Sequence, residues 1–457
     1  MKKIISVLTL TLLITVTVSA QTKLPSNFFM KKLPNGLEML IIEDKTVPLA
    51  TIEIVVKNGS YTEDSAFNGL SHMYEHMFFK ANKDLPSQEA FLKRINELGI
   101  VFNGTTSDER VNYFITLTNN KVDEGIAFMN SAIRYPLFLA EEMKKENPVV
   151  DGEFQRAESN PTFFLFDEFN RYMWKENYYR KNPIGVHDVI LTCTPEKMRI
   201  IQDKYYYPNN SMIVIAGDVN HQEMYTKIEK VFGDWKPADF DPFQKWPIPE
   251  FEPLKGVTNF VTLNENAQVP IFLTGFHGPD TRNDLKATYA ADVFSYILSQ
   301  ASSKLQKDLV ESGLAYQVNV GYQTCKYTGP INIILVPNPA TINEAWKVLW
   351  ENVAQWTDPN YYTDEQLETA KNLLAIQDAY GKESTSEFTH YVTYWWASAT
   401  IDYYTNYVQN LQEVTRQDIA NYVKKYIIDQ PHVNGLLLNP SMKDMVDVKS
   451  IGFEIKE

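Results

Sequence analysis

The sequence predicts an α+β protein made of two similar halves, which would enclose a chamber if they face each other. Two observations predict this fold class. The densest proline cluster lies between Trp235 and Gly256 and divides the chain into two parts of similar size. Both parts show the same order of strands, a helix, strands, helices and a last strand, which is not a regular β-α alternation. A chamber between the halves would favour unfolded peptides over folded proteins.

A weak internal repeat supports this division. The dipeptide Val-Pro precedes a strand-like run at residues 49–56 and again at residues 271–276, an offset of 222. A turn and a helical stretch follow each run. Further along, the helix predicted after Thr194 resembles the one predicted after Thr415, at an offset of 221. Each of these capped amphipathic helices leads to an apolar strand-like run.

The N-terminal residues 1–20 are predicted to be a secretion signal. Lys2 and Lys3 precede an apolar run, and residues 18–20 provide a cleavage site. The run is too short for a membrane span, and no later segment resembles one. We therefore expect an exported chain, periplasmic or secreted, with an uncleaved N-terminal anchor as the alternative. The other predicted segments are an N-terminal domain, a Pro-rich linker and a C-terminal domain, at residues 21–236, 237–256 and 257–457.

Composition narrows the choice of partners. The formal net charge is −14, and it becomes −16 when cleavage removes Lys2 and Lys3. No basic patch is dense enough to bind nucleic acid. The acidity suits the solubility of an exported protein and could also attract cationic peptides. Cys193 and Cys325 lie in different halves, and the sequence leaves open whether they pair.

The most informative motif lies in the first half, where residues 72–76 read His-Met-Tyr-Glu-His. Two histidines four residues apart stand one turn above each other on a helix, so His72 and His76 can reach one metal ion. Glu75 lies on the same side, next to the place of an attacking water. This order is the zinc-protease helix motif read backwards, and it predicts a metal-dependent peptidase. An ordinary amphipathic helix is the alternative.

The predicted helix has two faces. Its apolar face comprises Leu70, Met73, Tyr74, Met77 and Phe78. The three motif residues lie on the opposite face with Phe79. In the second copy, an offset of 222 puts Phe294, Ile297 and Leu298 at the motif positions. Only the first half could therefore hold the metal.

Catalytic zinc needs three protein ligands and an open position for water, so a third ligand must come from elsewhere. An acidic segment downstream of the motif offers four candidates by chemistry alone, namely Glu146, Asp151, Glu153 and Glu158. Glu146 and Glu153 are seven residues apart and would share one face of a continuous helix. A solvated acidic helix face is the alternative.

With these residues the chain resembles the pitrilysin/insulinase (M16) family of metallopeptidases, in its short-chain type similar to mitochondrial processing peptidase subunits. In that family the motif is followed by a ligand Glu, with another functional Glu seven residues before it. The resemblance covers nearly all of the mature chain. Its further matching segments are 101–108 with Tyr113, then 205–210, 216–218, 232–235 and 303–316.

The resemblance implies both a fold and a site. The fold is a pair of homologous α/β-roll domains of the LuxS/MPP-like metallohydrolase type, and the site holds one Zn²⁺ per chain. The implied zinc ligands are His72, His76 and Glu153, the implied general base is Glu75 and the implied second acid is Glu146. The implied substrate-binding edge strand carries Asn103, Gly104 and Thr105. The implied oxyanion donor is Tyr316.

One departure from the family pattern lies in the acidic segment. Pro148 and Gly152 both disfavour a helix interior. Asn147 could cap a new helix with Pro148 at its first position, which would leave Glu146 outside that helix. Glu153 stays the preferred third ligand.

A second departure is Leu309, which occupies the position of an Arg that complete family members carry seven residues before the signature Tyr. The resemblance then implies that a second M16-like subunit supplies the Arg-Tyr pair, with a homodimer or a self-sufficient chain as alternatives. The predicted function is an exported zinc metalloendopeptidase, the catalytic subunit of a dimer. A non-catalytic structural or binding subunit is the competing class. Metal storage or sensing is a third alternative, but it would not need a general base at Glu75.

Overall fold

The computed structural model describes residues 24–175 and 181–455, and these form two α+β domains. The predicted secretion signal lies outside the described residues. The strands of the first domain are β1 (Phe28–Lys32), β2 (Glu38–Glu43), β3 (Leu49–Val56), β4 (Val101–Thr106), β5 (Val111–Thr118) and β6 (Ser211–Gly217). The helices up to the end of the first domain and into the linker are α1 (Leu70–Phe78), α2 (Gln88–Leu98), α3 (Val122–Arg134), α4 (Ala140–Glu158), α5 (Pro161–Trp174), α6 (His187–Leu191), α7 (Pro195–Tyr205), α8 (His221–Phe232) and α9 (Pro242–Lys245).

The second domain repeats this plan. Its strands are β7 (Val257–Leu263), β8 (Ile271–His277), β9 (Ala315–Tyr322), β10 (Pro330–Pro337) and β11 (His432–Leu438). Its helices are α10 (Leu285–Ser299), α11 (Lys304–Gln306), α12 (Ile342–Val353), α13 (Asp364–Gly381), α14 (Thr385–Ser398), α15 (Ile401–Thr405), α16 (Tyr407–Gln412) and α17 (Arg416–Tyr426). A π-helical turn, Lys307–Glu311, follows α11.

The two sheets have the same strand order, which confirms the predicted α+β fold of two related domains. The first sheet runs β1-β2-β6-β3-β5-β4 and the second runs β7-β11-β8-β10-β9, so that among the strands in the described residues β1 alone has no counterpart. In each sheet one pair is parallel, β2 with β6 and β7 with β11. The repeat holds residue for residue at α7 and α17, where Thr194 and Thr415 accept hydrogen bonds as helix caps.

Each sheet is covered on one face by a helix from the other half of the chain. Helix α5 packs on β7, β8 and β11, whereas α14 packs on β3, β5 and β6. The apolar side chains of α5, among them Leu165 and Phe169, share a core with Phe260 and Leu273 of the second sheet. Amphipathic periodicity predicts that such a helix buries one face, but it does not tell which sheet receives that face. This exchange was therefore not predicted.

A buried polar cluster joins α14 to the first sheet. The carboxylate of Glu53 on β3 is fully buried and accepts hydrogen bonds from Thr389 (2.8 Å) and Thr393 (2.6 Å), and it contacts His390 Nδ1. Arg110 donates to the His390 carbonyl at 2.5 Å. Burial alone would raise the pKa of Glu53, but the hydrogen bond from His390, with Arg110 and Thr393 nearby, holds it below its usual range.

The predicted linker is packed against both domains. Phe243 on α9 and Phe251 beyond it pack around Tyr61 of the first domain and Tyr327 of the second. The boundaries drawn at 236 and 257 stay predictions.

Cys193 and Cys325 are both buried and are not joined by a disulfide, which answers the open question of their pairing. Burial raises the pKa of Cys193 to about 12. Within residues 24–175 and 181–455, none of the helices combines the length and the apolar character needed to cross a membrane.

Candidate metal centre

The helix that carries the two motif histidines, α1, is fixed at its N-terminus. Glu63 accepts hydrogen bonds from the backbone N–H groups of Gly69 (2.9 Å) and Ser71 (2.7 Å). A carboxylate at this position satisfies free N–H groups and interacts favourably with the helix dipole. Lys181 Nζ lies 3.6 Å from the same carboxylate and donates to the backbone carbonyl of Ser60. The start of α1 is therefore held from two sides.

The two predicted faces of α1 are observed. The apolar face is buried to 1% exposure or less, and its residues are Leu70, Met73, Tyr74, Met77 and Phe78. His72 and His76 are partly exposed on the other side, and Glu75 is buried beside β4. In the second domain, the residues at the corresponding positions are buried in the core as predicted, namely Phe294, Ile297 and Leu298.

The structure brings His72, His76 and Glu153 together. Glu153 Oε2 lies 3.6 Å from the Nε2 atoms of both histidines, and one ligand atom from each residue falls within 4.8 Å of the others. A tetrahedral zinc ion with ligands at about 2.1 Å requires ligand atoms about 3.4 Å apart. Two imidazoles and one carboxylate are also the donor set of many catalytic zinc sites. The residues present therefore fit a zinc ion.

The electrostatics of His72 agree with this fit. Burial, together with the neighbouring His76, lowers the pKa of His72 to about 4. The imidazole is thus neutral at neutral pH and has a lone pair to offer. Its Nδ1 atom is buried and has no hydrogen-bond partner among the described residues. A proton on Nδ1 leaves the lone pair on Nε2, the atom that faces Glu153.

Glu146 lies behind His76 and does not join the ligand cluster. Its Oε1 atom is 2.9 Å from His76 Nδ1, and its Oε2 atom accepts a hydrogen bond from Lys80 Nζ at 2.6 Å. A carboxylate on the second ring nitrogen fixes the tautomer and the orientation of a histidine ligand. Burial alone would raise the pKa of Glu146, but the hydrogen bonds with His76 and Lys80 hold it below its usual range.

The expected break in the acidic segment is wrong, because α4 runs without interruption from Ala140 to Glu158 through Pro148. Proline removes one helix hydrogen bond and disfavours helical geometry in the residue before it. Tertiary contacts offset this cost. Asn147 donates its side-chain amide to the carbonyls of Leu191 (3.2 Å) and Cys193 (3.0 Å), which holds the residue before the proline in place. Glu146 and Glu153 consequently lie on one helix after all.

The other two candidate carboxylates, those of Asp151 and Glu158, contact a different histidine, His187. Asp151 Oδ1 lies 2.5 Å from His187 Nδ1, and Glu158 Oε2 lies 3.0 Å from His187 Nε2. Of the four candidates from the sequence, only Glu153 therefore reaches the two motif histidines.

Glu75 lies against the edge strand β4. Thr106 donates a hydrogen bond to its Oε2 atom at 2.6 Å. Burial raises the pKa of Glu75, and the hydrogen bond from Thr106 works in the opposite direction. A Cβ atom on Gly104 would come within 2.7 Å of Glu75 Cγ, so glycine is what lets the strand lie this close to the carboxylate. Asn103, Gly104 and Thr105 follow one another along this edge.

We expect Gly104→Ala to lower kcat/KM for peptide cleavage by about 100-fold, because the new methyl group displaces either Glu75 or the strand, and small displacements at a reacting centre have effects of that size. Zinc content should not change, since the three atoms nearest to the new methyl group all belong to Glu75 and none to a proposed zinc ligand. Gly321→Ala on β9, the corresponding edge strand of the second sheet, is the matched control, since a Cβ there meets no atom within 4 Å. Equal activity of the two variants would contradict the steric argument.

Tyr316 and Leu309 both belong to the second domain. Tyr316 is on β9 at the edge of the second sheet, with 59% of its surface exposed. Leu309 is fully buried in the core of the second domain. The side chain of Leu309 therefore contributes to packing and does not supply the positive charge of the expected arginine.

Three residues around the centre were missed by sequence reasoning. Thr106 lies two residues after Gly104 and so faces the same side of β4, a signal that the alternation of the strand could have provided. Lys80 lies four residues after His76, but α1 ends before it. His187 had no local signal, because its partners are about 30 residues or more away in sequence.

Comparison with known proteins gives two family matches. The model described as Insulinase (Peptidase family M16) matches residues 38–185, and the model described as Peptidase M16 inactive domain matches residues 192–374. Together they cover more than half of the chain. An uncharacterized zinc protease of Rickettsia felis is 25% identical over 80% of this chain and 88% of that protein.

Solved structures share the fold. A protease from Helicobacter pylori superposes with a TM-score of 0.80 and 23% identity, covering 90% of this chain and 99% of that one. The periplasmic protease PqqL from Escherichia coli superposes with a TM-score of 0.73 and 15% identity, covering 91% of this chain but 48% of that one.

Proposed function

The chain belongs to the insulinase family of peptidases, family M16, and from this premise we propose that it is a zinc metalloendopeptidase that hydrolyses peptides or unfolded polypeptides. The observation that carries the proposal is the convergence of His72 Nε2, His76 Nε2 and Glu153 Oε2 beside the carboxylate of Glu75. His72, His76 and Glu153 would hold one zinc ion. When bound, zinc supplies Lewis acidity at the scissile carbonyl and lowers the pKa of a water towards about 7.

Glu75 is the proposed general base. Its carboxylate takes a proton from the attacking water and then delivers it to the leaving amine. Burial raises the pKa of Glu75, which makes its carboxylate a stronger proton acceptor. Glu146 orients His76 from behind, and Lys80 compensates the charge of Glu146.

The edge strand β4 is the proposed substrate site. Among the described strands, β4 pairs on one side only, with β5, so an extended peptide can add to its other edge beside Asn103, Gly104 and Thr105 by backbone hydrogen bonds. Such a peptide would pass beside Glu75. This mode favours polypeptides without stable structure of their own, and the chamber predicted between the two halves would act in the same direction.

The proposed working unit is a dimer. Tyr316 is exposed at the edge of the second sheet, and Leu309 leaves the chain without the expected arginine. A second M16-like subunit would supply an Arg-Tyr pair that stabilises the oxyanion. The match of this chain to about half of the longer PqqL chain supports such a pairing, with a homodimer as the alternative. The predicted signal at 1–20 and the periplasmic location of PqqL support a periplasmic site of action.

A non-catalytic subunit is the second candidate function, and the specific observation in its favour is Leu309. Purified mature protein should contain about one zinc per chain. It should cleave an unstructured peptide, lose this activity with a chelator and regain it when zinc is restored. Protein that binds no zinc would overturn the proposed peptidase. Zinc-loaded protein that stays inactive after its native partner is added would favour the non-catalytic subunit.

A further inference from the structure

A histidine outside the zinc motif holds the part of α4 that carries Glu153. Glu153 follows Pro148, where α4 lacks one backbone hydrogen bond, and its side chain is 46% exposed. By contrast, Glu146 precedes the proline and is held by His76 and Lys80. The segment after Pro148 therefore needs a support of its own if Glu153 is to keep a fixed position.

His187, the first residue of α6, contacts one face of this segment at three places. Its two ring nitrogens lie 2.5 Å from Asp151 Oδ1 and 3.0 Å from Glu158 Oε2. Its ring packs edge-on against Phe154 with the ring centroids 4.2 Å apart. Residues 151, 154 and 158 follow one another along one side of a helix. Asp151 and Phe154 are 6% exposed, whereas the side chains of His187 and Glu158 are 37% and 29% exposed, so the contacts with Asp151 and Phe154 are the better shielded from solvent.

The loop before His187 also contacts the helix that carries the other two ligands. Gly185 has φ 96°, and a Cβ on it would come within 2.4 Å of Gly69 Cα. Gly69 is the residue from which α1 begins. One short segment, residues 185–187, thus contacts both the start of α1 and α4.

Resting on the zinc site proposed above, we propose that His187 is a positioning residue that fixes the C-terminal half of α4 against α1 and so holds Glu153 in place for the metal. It does not touch the metal or the substrate. Groups that orient metal ligands typically contribute 10- to 100-fold to metal affinity. The contribution here should appear in the affinity for zinc itself, apart from any catalytic step.

The test measures the zinc dissociation constant by competition with a chromophoric chelator at fixed pH. His187→Ala should weaken zinc binding by about 10-fold or more, and His187→Gln, which keeps one donor, should recover part of the loss. Cobalt(II) in place of zinc should show a changed visible spectrum in His187→Ala, because the third ligand no longer holds its position. Glu158→Gln, at the end of the helix, is a milder variant in case His187→Ala does not fold, and it should weaken zinc binding to a smaller extent.

The matched control is His221→Ala. His221 is also the first residue of a helix, with its Nδ1 atom 2.7 Å from Glu43, and it lies on α8 away from the ligands. Its loss should leave the zinc affinity and the cobalt spectrum unchanged. Unaltered zinc binding in both His187→Ala and Glu158→Gln would overturn the positioning role while leaving the proposed peptidase intact. Wild-type protein that binds no zinc would overturn both.

Discussion

Glu75→Gln is expected to abolish peptide hydrolysis while zinc stays bound. Gln has nearly the same shape as Glu and can still accept the hydrogen bond from Thr106, so the local structure should persist. It cannot take a proton from water, and general base catalysis contributes about 100- to 10,000-fold to such reactions. Most of the loss should appear in kcat, because the proton is transferred only in the reaction step.

Zinc content and peptide cleavage should be measured on the same preparation. Glu97→Gln on α2 is the matched control, because that side chain is half-exposed and pairs only with neighbouring residues of its own helix. It should retain full activity. A Glu75→Gln variant that cleaves peptide at the wild-type rate would exclude Glu75 as the base. Loss of zinc from that variant would instead assign Glu75 a part in metal binding.

Glu53→Ala should lower the free energy of unfolding by about 3–5 kcal/mol, the usual cost of removing one partner from a buried charge pair. Glu53 is 0% exposed, and its removal leaves the buried Arg110 and the partly exposed His390 without the carboxylate. The threonine hydroxyls of α14 also lose their acceptor. Urea unfolding, followed by tryptophan fluorescence, measures the change.

The effect of Glu53 should depend on pH in a defined direction. A carboxyl group whose pKa is lowered in the folded protein stabilises it above the unfolded pKa of about 4.3, and this stabilisation is lost as the pH falls through the folded value. The difference between wild type and Glu53→Ala should therefore be full at pH 7 and should shrink in acid.

Glu38→Ala is the control for the same interface. Glu38 accepts one hydrogen bond from Trp396 of α14 at 3.0 Å, and its side chain is 30% exposed. Its removal should cost about 1 kcal/mol. Similar losses for the two variants would show that burial of the Glu53 cluster adds no special stability.

Local patterns predicted the parts of the structure that depend on neighbouring residues in sequence. The two faces of α1 follow from a 3.6-residue period, and the caps at Thr194 and Thr415 follow from residue type. The repeat of 221 residues located α17 and β11 from their first-half counterparts. His72, Glu75 and His76 needed only one turn of helix to be recognised.

What the sequence did not predict depends on contacts between distant residues. Local propensity indicates a break at Pro148, and the amide of Asn147 overrides it through carbonyls more than 40 residues away. The sequence alone offered four chemically equivalent acidic residues as the third ligand, and the family resemblance was needed to choose Glu153. In the structure, His187 contacts two of the other candidates, Asp151 and Glu158. The exchange of α5 and α14 has no local signal at all, since each helix would look the same on either sheet.

Because α14 of the second half covers the first sheet, the exchange of α5 and α14 also determines when the first half can complete its folding. The first sheet is complete in sequence at Gly217, yet the helix that covers its second face begins only at Thr385. During synthesis or translocation an apolar sheet surface must stay uncovered until most of the second half has emerged, and such surfaces attract chaperones and other chains. We therefore expect that neither half folds stably without the other. A chain cut in the linker should yield two fragments that are soluble only when they are produced together.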